Sequence, residues 1–142
     1  GKRGSLSGGE TGIKYSPNGF KCFVSNTGGY VDEYSLTTAY DFSTRTLDET
    51  YSTTAQVSRL MDLTFAENGR VMLVVSDSIG TQTLYQYNLN TPYSLAPGNV
   101  TYSGNSINLS TEEADPYGVD IDPTDSRIII VGKGSDTVYE YT

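Results

Sequence analysis

Six carboxylates fall between positions 112 and 125: Glu112, Glu113, Asp115, Asp120, Asp122 and Asp125. Carboxylate oxygens at that density are the hard ligands that Ca²⁺ takes, and Asp120, Asp122 and Asp125 form the candidate calcium set. The spacing matches no EF-hand loop, and turn capping with solvated charge accounts for the same residues. On a strand Asp120 and Asp122 share a face, where like charges repel unless something offsets them. A carboxylate pair for glycoside hydrolysis could be drawn from the same group, but nothing in the sequence sets its separation.

Other chemistry is sharply limited by composition. There is no His, which removes Ser-His-Asp and Cys-His arrangements and His-ligated metal sites. There is no Trp, the strongest sugar-stacking residue, although 12 Tyr remain to stack on sugars or line an interface. The single Cys22 lies in an apolar run and reads as a buried small hydrophobe; alone it makes no internal disulfide and no Cys-based metal cluster. Gly132-Lys133 lacks the upstream Gly and the following Ser or Thr of a phosphate loop. The chain is therefore expected to be no enzyme, to have no catalytic residues, and to need no cofactor unless calcium.

Partners are narrowed by charge. Net charge is −8, and the nine Lys and Arg are scattered, so no basic stripe exists for a phosphate backbone and nucleic acid is not an expected partner. The acidic balance disfavours an anionic membrane surface, and no apolar run approaches the roughly 20 residues of a membrane span. A chain that starts at Gly1 rather than Met is expected to be a processed product or a piece of something longer.

The elements that must position these residues come from a repeat. Residues 13–25 (IKYSPNGFKCFVS), 63–75 (LTFAENGRVMLVV) and 119–131 (VDIDPTDSRIIIV) align without a gap, and behind them come VDEY at 31–34, LYQY at 84–87 and VYEY at 138–141. The period is 50 to 56 residues, and short strands at such a period mean propeller blades or a related array. Within each copy a first strand ends at a turn. The turns at Asn18-Gly19 and Asn68-Gly69 are predicted to be type I′, in which both central residues take positive φ. Apolar runs at 22–25, 72–75 and 128–131 are expected to be central strands covered on both faces. Alternation in the next strand puts Tyr34 and Leu36, Tyr85, Tyr87 and Leu89, and Tyr139 and Tyr141 on one face, where they are expected to fill the gaps between blades. Fourth strands follow near 46–53 and 100–106, and residues 1–8 are expected to serve as a closing strand.

The expected fold is all-β: a propeller-type array of three four-stranded antiparallel blades, about 1–59, 60–115 and 116–142, in a single domain. Three blades are fewer than the four to eight of ordinary rings. The array is therefore expected to be completed by another chain, most simply a pair giving six blades; a longer polypeptide, a capped open array or a filament are the alternatives.

The turn at Tyr15 to Gly19 with the patterns at 31–42, 84–95 and 138–141 resembles a propeller repeat of the F-S-P-D-G / V-Y-E-Y-x-L-S-T type, seen in large proteins of tailed phages and aquatic bacteria. The resemblance implies a non-enzymatic structural and binding module, a virion component such as a tail, fibre or decoration protein. The alternative is an extracellular carbohydrate-binding or adhesive propeller. Partners are then copies of the chain, other structural proteins or a glycan, and the location is virion or extracellular. Loops at blade ends carry specificity in such folds, which selects Asn26, Thr27, Gly28, Gly29, Asp77, Ser78, Lys133, Ser135 and Asp136 as candidate binding residues. Glycosylation sequons start at Asn99 and Asn108 and matter only if the source is eukaryotic or the protein is otherwise exported.

Overall fold

The computed structural model describes residues 9–78 and 81–142. β1 (Glu10–Tyr15), β2 (Lys21–Asn26), β3 (Tyr30–Leu36) and β4 (Arg45–Ser52) form one antiparallel sheet; β5 (Leu60–Ala66), β6 (Val71–Ser78), β7 (Thr81–Leu89) and β8 (Val100–Asn108) form the second. The third holds β9 (Pro116–Ile121), β10 (Ile128–Gly132) and β11 (Val138–Tyr141). The expected three-blade array is therefore present, with three strands in its last blade among the described residues. The closing strand expected at residues 1–8 lies outside them.

Blade two sits in the middle. Its β6 alternates Met72 and Val74 toward blade one with Leu73 and Val75 toward blade three, so one strand contributes to two cores. Phe23, Val31, Leu63 and Tyr87 close the first interface, and Leu84, Val119 and Ile130 the second. The tyrosines of blades two and three fall as the alternation predicts, with Tyr87 buried in the first interface and Tyr139 and Tyr141 packed on the second, whereas Tyr34 and Leu36 lie on the face of blade one turned away from blade two and fill no gap between described blades. Cys22 is buried as expected, on the opposite face of blade one with Val24, Tyr34 and Leu36, and burial pushes its thiol up to about 12. β10 departs from the expected double coverage, because Val131 is exposed where the described residues offer no fourth blade.

The inner strands β1, β5 and β9 pack side by side. Asp62 on β5 lies between Gly12 and Gly118, which occupy its own repeat position in the neighbouring blades, and a Cβ on Gly12 would come 2.9 Å from the Cα of Asp62. Glycine at 12 is what lets the first two inner strands approach this closely.

The first turn differs from the type I′ expectation; the second meets it, since Asn68 and Gly69 both take positive φ and the Arg70 N–H closes the turn on Glu67 O at 3.2 Å. Gly19 takes positive φ (74°) and Asn18 does not, because the connection is long enough for the Asn18 side chain to accept from Ser16 Oγ and Phe20 N. In the second copy Glu67, Asn68 and Gly69 all have positive φ (47°, 52° and 86°). Each glycine is covered by a tyrosine from the connection to the fourth strand. The Tyr40 N–H donates to Gly19 O at 2.8 Å and the Tyr93 N–H to Gly69 O at 3.0 Å, and both tyrosines have positive φ themselves (59° and 51°). A Cβ on Gly69 would strike the Tyr93 ring, whereas one on Gly104 (φ 87°) would meet nothing within 4 Å. Gly104→Ala should therefore cost only the left-handed backbone, about 1 kcal/mol, and Gly69→Ala at least about 2 kcal/mol. Equal costs in urea unfolding would show that the tyrosine cover contributes nothing.

Candidate functional site

The side chains that could act on a ligand converge where the inner strands meet. Lys14 on β1, Thr64 on β5 and Asp120 on β9 hold the same position in the three repeats, so the blade geometry brings them together. Lys14 Nζ lies 2.5 Å from Asp120 Oδ1, and Thr64 Oγ1 donates to the same oxygen at 3.0 Å. Asp62 Oδ2 accepts the Val119 N–H at 3.0 Å.

The two carboxylates are pushed apart in acidity. Burial raises the Asp62 carboxyl, and hydrogen bonds from the Val119 and Leu63 N–H groups recover only part of that. Burial also acts on Asp120, but the Lys14 hydrogen bond and charge, the Ile121 N–H and the Thr64 hydroxyl outweigh it and hold that carboxyl below its usual range. A carboxyl that favours its proton and a carboxylate that sheds it are the parts of an acid–base pair.

A cleft of about 290 Å³ opens at the turn end of these strands, lined by Tyr15, Phe65 and Tyr93 with Asn68, Asp120, Asp122 and Asp125. A second space of about 270 Å³ lies beside Lys14, Asp62 and Asp120, against Ile129 and Val131. The first combines aromatic surface with carboxylates.

The candidate calcium residues all border the first cleft, but their oxygens face protein donors. Asp122 takes the Thr124 hydroxyl, the Ser126 N–H and hydroxyl and the Arg127 N–H, an arrangement that lowers its carboxyl to about 2. Asp125 Oδ2 accepts the Glu67 N–H at 2.8 Å. Among the described residues no three His, Cys, Asp or Glu side chains are grouped to hold a metal ion, and a calcium ion does not fit Asp120, Asp122 and Asp125 as they stand. Asp122 also lies past the end of β9, so the two acids do not share a strand face.

The loop residues chosen from sequence sit at the other end of the blades: Thr27, Gly28 and Gly29 lie in the hairpin after β2 and Lys133, Ser135 and Asp136 in the one after β10, whereas Asn26, Asp77 and Ser78 are strand rather than loop, because their backbones still pair with β3 and β7. Asn26 Oδ1 accepts the Gly28 N–H, and the Thr27 N–H donates to Gly9 O. Gly29 accepts from both Thr53 N and Thr53 Oγ1. Asp77 pairs with Arg59, and Ser78 Oγ bonds Ser58 and Ser76. The Lys133 N–H donates to Asp115 O, Ser135 binds Glu113, and Asp136 has positive φ (51°). The Asn99 amide bonds Thr91 and Ser94, whereas Asn108 caps Ser110 from an exposed position.

Lys14, Asp62 and Thr64 were missed by sequence reasoning. The gapless alignment of the repeats was a usable signal, since it puts a cation, a hydroxyl and a carboxylate at one position of a shared axis.

Neither a family model nor a curated protein matches the sequence. Solved structures do. The chain is similar to a Bacteroides fragilis protein named for 6-phosphogluconolactonase activity, with a TM-score of 0.68 at 11% identity, covering 93% of this chain and 34% of that one. It is similar to the β-propeller domain of Myceliophthora thermophila Cps50 (Swd1), with a TM-score of 0.61 at 13% identity, covering 93% and 39%. It also matches the periplasmic gluconolactonase of Pseudomonas aeruginosa, with a TM-score of 0.61 at 14% identity, covering 90% and 34%. The chain thus spans a little over a third of the length of these neighbours. The expectation that it is no enzyme is corrected by them: two carry the names of enzymes. Lack of His excludes only His-dependent chemistry, and Lys and Asp side chains are themselves acid–base groups. The fold is that of a β-propeller, present here as three blades of an open array.

Proposed function

We propose that this chain is a structural and binding module, a rigid block of propeller blades serving as a tail, fibre or decoration component of a virion. The observation that carries the reading is the use of charge at the axis. Lys14 of blade one reaches Asp120 of blade three across blade two, and Thr64 of blade two joins them, so these groups tie blades together. The virion setting rests on the resemblance of the repeats.

The aromatic and carboxylate lining of the 290 Å³ cleft favours a second reading, a carbohydrate-binding propeller. The lactones of sugar acids for which two structural neighbours are named fall in the same ligand class. Mass spectrometry of purified particles from the source, run beside a glycan array and a gluconolactone hydrolysis assay on the isolated chain, separates the two. Peptides of the chain in particles, with a blank array, are the expected result. Selective glycan signal or lactone turnover that disappears in Phe65→Ala, with no peptides in particles, would replace the virion reading with the second.

A further inference from the structure

We propose that the outer face of blade three is a docking surface for blade one of a second copy of this chain, joined head to tail. Both blade-on-blade contacts inside the chain are built alike. Val31 on β3 and Leu84 on β7 are 0% and 2% exposed beneath the following blade, whereas their repeat counterpart on β11, Val138, is 63% exposed. The opposite face shows the mirror of this. Leu63 on β5 and Val119 on β9 are 1% and 4% exposed against the preceding blade, and their counterpart Ile13 on β1 is 53% exposed.

The exposed apolar side chains at the two ends are therefore the two halves of one contact type that the chain already makes twice. Each has a companion by strand register. Val131 pairs with Val138, and Leu47 pairs with Tyr34 on the face that carries Ile13; both companions are exposed. Charge is present on both faces and is partnered within the chain. Asp120 and Glu140 share the blade-three face, with Lys14 and Arg127 (3.6 Å) as their respective partners, and Asp32, which stands on the blade-one face where blade two has Tyr85, accepts from the Thr50 and Tyr34 hydroxyls. On blade one Cys22 and Val24 are already buried, so Ile13 and Leu47 are the side chains that the new contact covers. Because the two faces differ, the contact is heterologous: two copies can close on each other, or a chain of copies can extend.

The contact rests on blade packing alone, so glycan binding and particle location neither support nor overturn it. The test is the mass of the intact chain in solution by light scattering, with two double variants. Val131→Glu/Val138→Glu removes the outgoing face, and Ile13→Glu/Leu47→Glu removes the incoming face. All four positions are exposed, and a wild-type β signature in circular dichroism checks folding; Val138→Ser and Ile13→Ser replace them if it is lost. Wild type should associate, each variant alone should be monomeric, and an equimolar mixture should recover a one-to-one complex through its one intact pair of faces. A wild type that stays monomeric up to about 100 µM, beyond micromolar affinity, overturns the proposal. Variants that associate as wild type does, a mixture that fails to complement, or loss of association from the outgoing variant only, as a contact between like faces would give, overturn it as well.

Discussion

Replacing Glu113 with Ala should destabilise the protein by about 3 kcal/mol, because it removes a buried charged acceptor shared by part-buried donors, and a hydrogen bond to a charged group contributes about 1.5–3 kcal/mol. Glu113 is fully buried in the connection between blades two and three. Its Oε1 accepts the N–H groups of Asp115 at 2.9 Å and Gly134 at 2.8 Å, and its Oε2 accepts the Ser135 hydroxyl at 2.6 Å and the Ser135 N–H at 3.3 Å. The carboxylate thus ties the hairpin after β10 to the inter-blade connection. Gly134 makes room for it, since a Cβ there would crowd its Oε1 at 2.5 Å. Glu113→Gln should recover little, because an amide turns its own N–H₂ toward donors.

The acid limb gives a second measurement. Burial acts to raise the Glu113 carboxyl, but the Ser135 hydroxyl and the three N–H groups outweigh it and leave it below the ordinary 4.5. A folded value below the unfolded one means that the ionised group stabilises the fold fully above about 4.5 and that this contribution fades as pH falls through the lowered value. The stability gap between wild type and Glu113→Gln, from urea titrations, should therefore narrow below that pH. A gap that is constant from pH 7 to about 3, spanning the ordinary carboxylate range, would show that the charge itself contributes nothing.

Truncating Tyr87 to Ala should cost about 3–5 kcal/mol, the range for removing a large aromatic side chain from a packed core. Tyr87 is fully buried at the interface of blades one and two, with ring centroids 5.9 Å from Tyr51 and 5.6 Å from Tyr102, and its hydroxyl donates to Gln56 Oε1 at 3.1 Å. Burial holds that hydroxyl protonated well above the usual tyrosine range. The residue joins β7 to the Tyr51 ring of β4 and to the connection that carries Gln56, so its loss loosens blade one from blade two. Tyr87→Phe keeps the rings and should cost about 1 kcal/mol, the net value of one hydrogen bond. Equal costs for the two variants in equilibrium unfolding would assign the effect to the hydroxyl and sink the packing explanation.

These two residues had unequal visibility in the sequence. Tyr87 was legible because it belongs to a pattern, a tyrosine recurring at Tyr34, Tyr87 and Tyr141 on a strand whose alternation assigns it a face. Glu113 was visible only as one acid among six, grouped with Asp120, Asp122 and Asp125 as a candidate for calcium. The structure separates them by partner: one staples a hairpin, one pairs with Lys14, and two serve turns. Val57 explains what sequence could not. It makes the same tight turn after β4, its N–H bonded to Thr53 O at 2.8 Å, that Glu113 makes after β8 with Leu109 O at 2.8 Å, so one buried position holds valine in one connection and a carboxylate in the next. Only the neighbouring N–H groups of the third hairpin make the carboxylate acceptable there.

The sequence by itself determined the strands, their order within each blade, the tyrosine faces and the repeat, because each depends on residues within a few positions of one another. Turn residues and alternation of period two act locally. What only the tertiary structure decided is which side chains meet across blades. Lys14 and Asp120 are separated by 106 residues and share one hydrogen bond, and their meeting depends on how closely three inner strands pack. That approach is set by glycine on either side of Asp62 and by cores on both faces of β6, so it exists only when the blades are stacked.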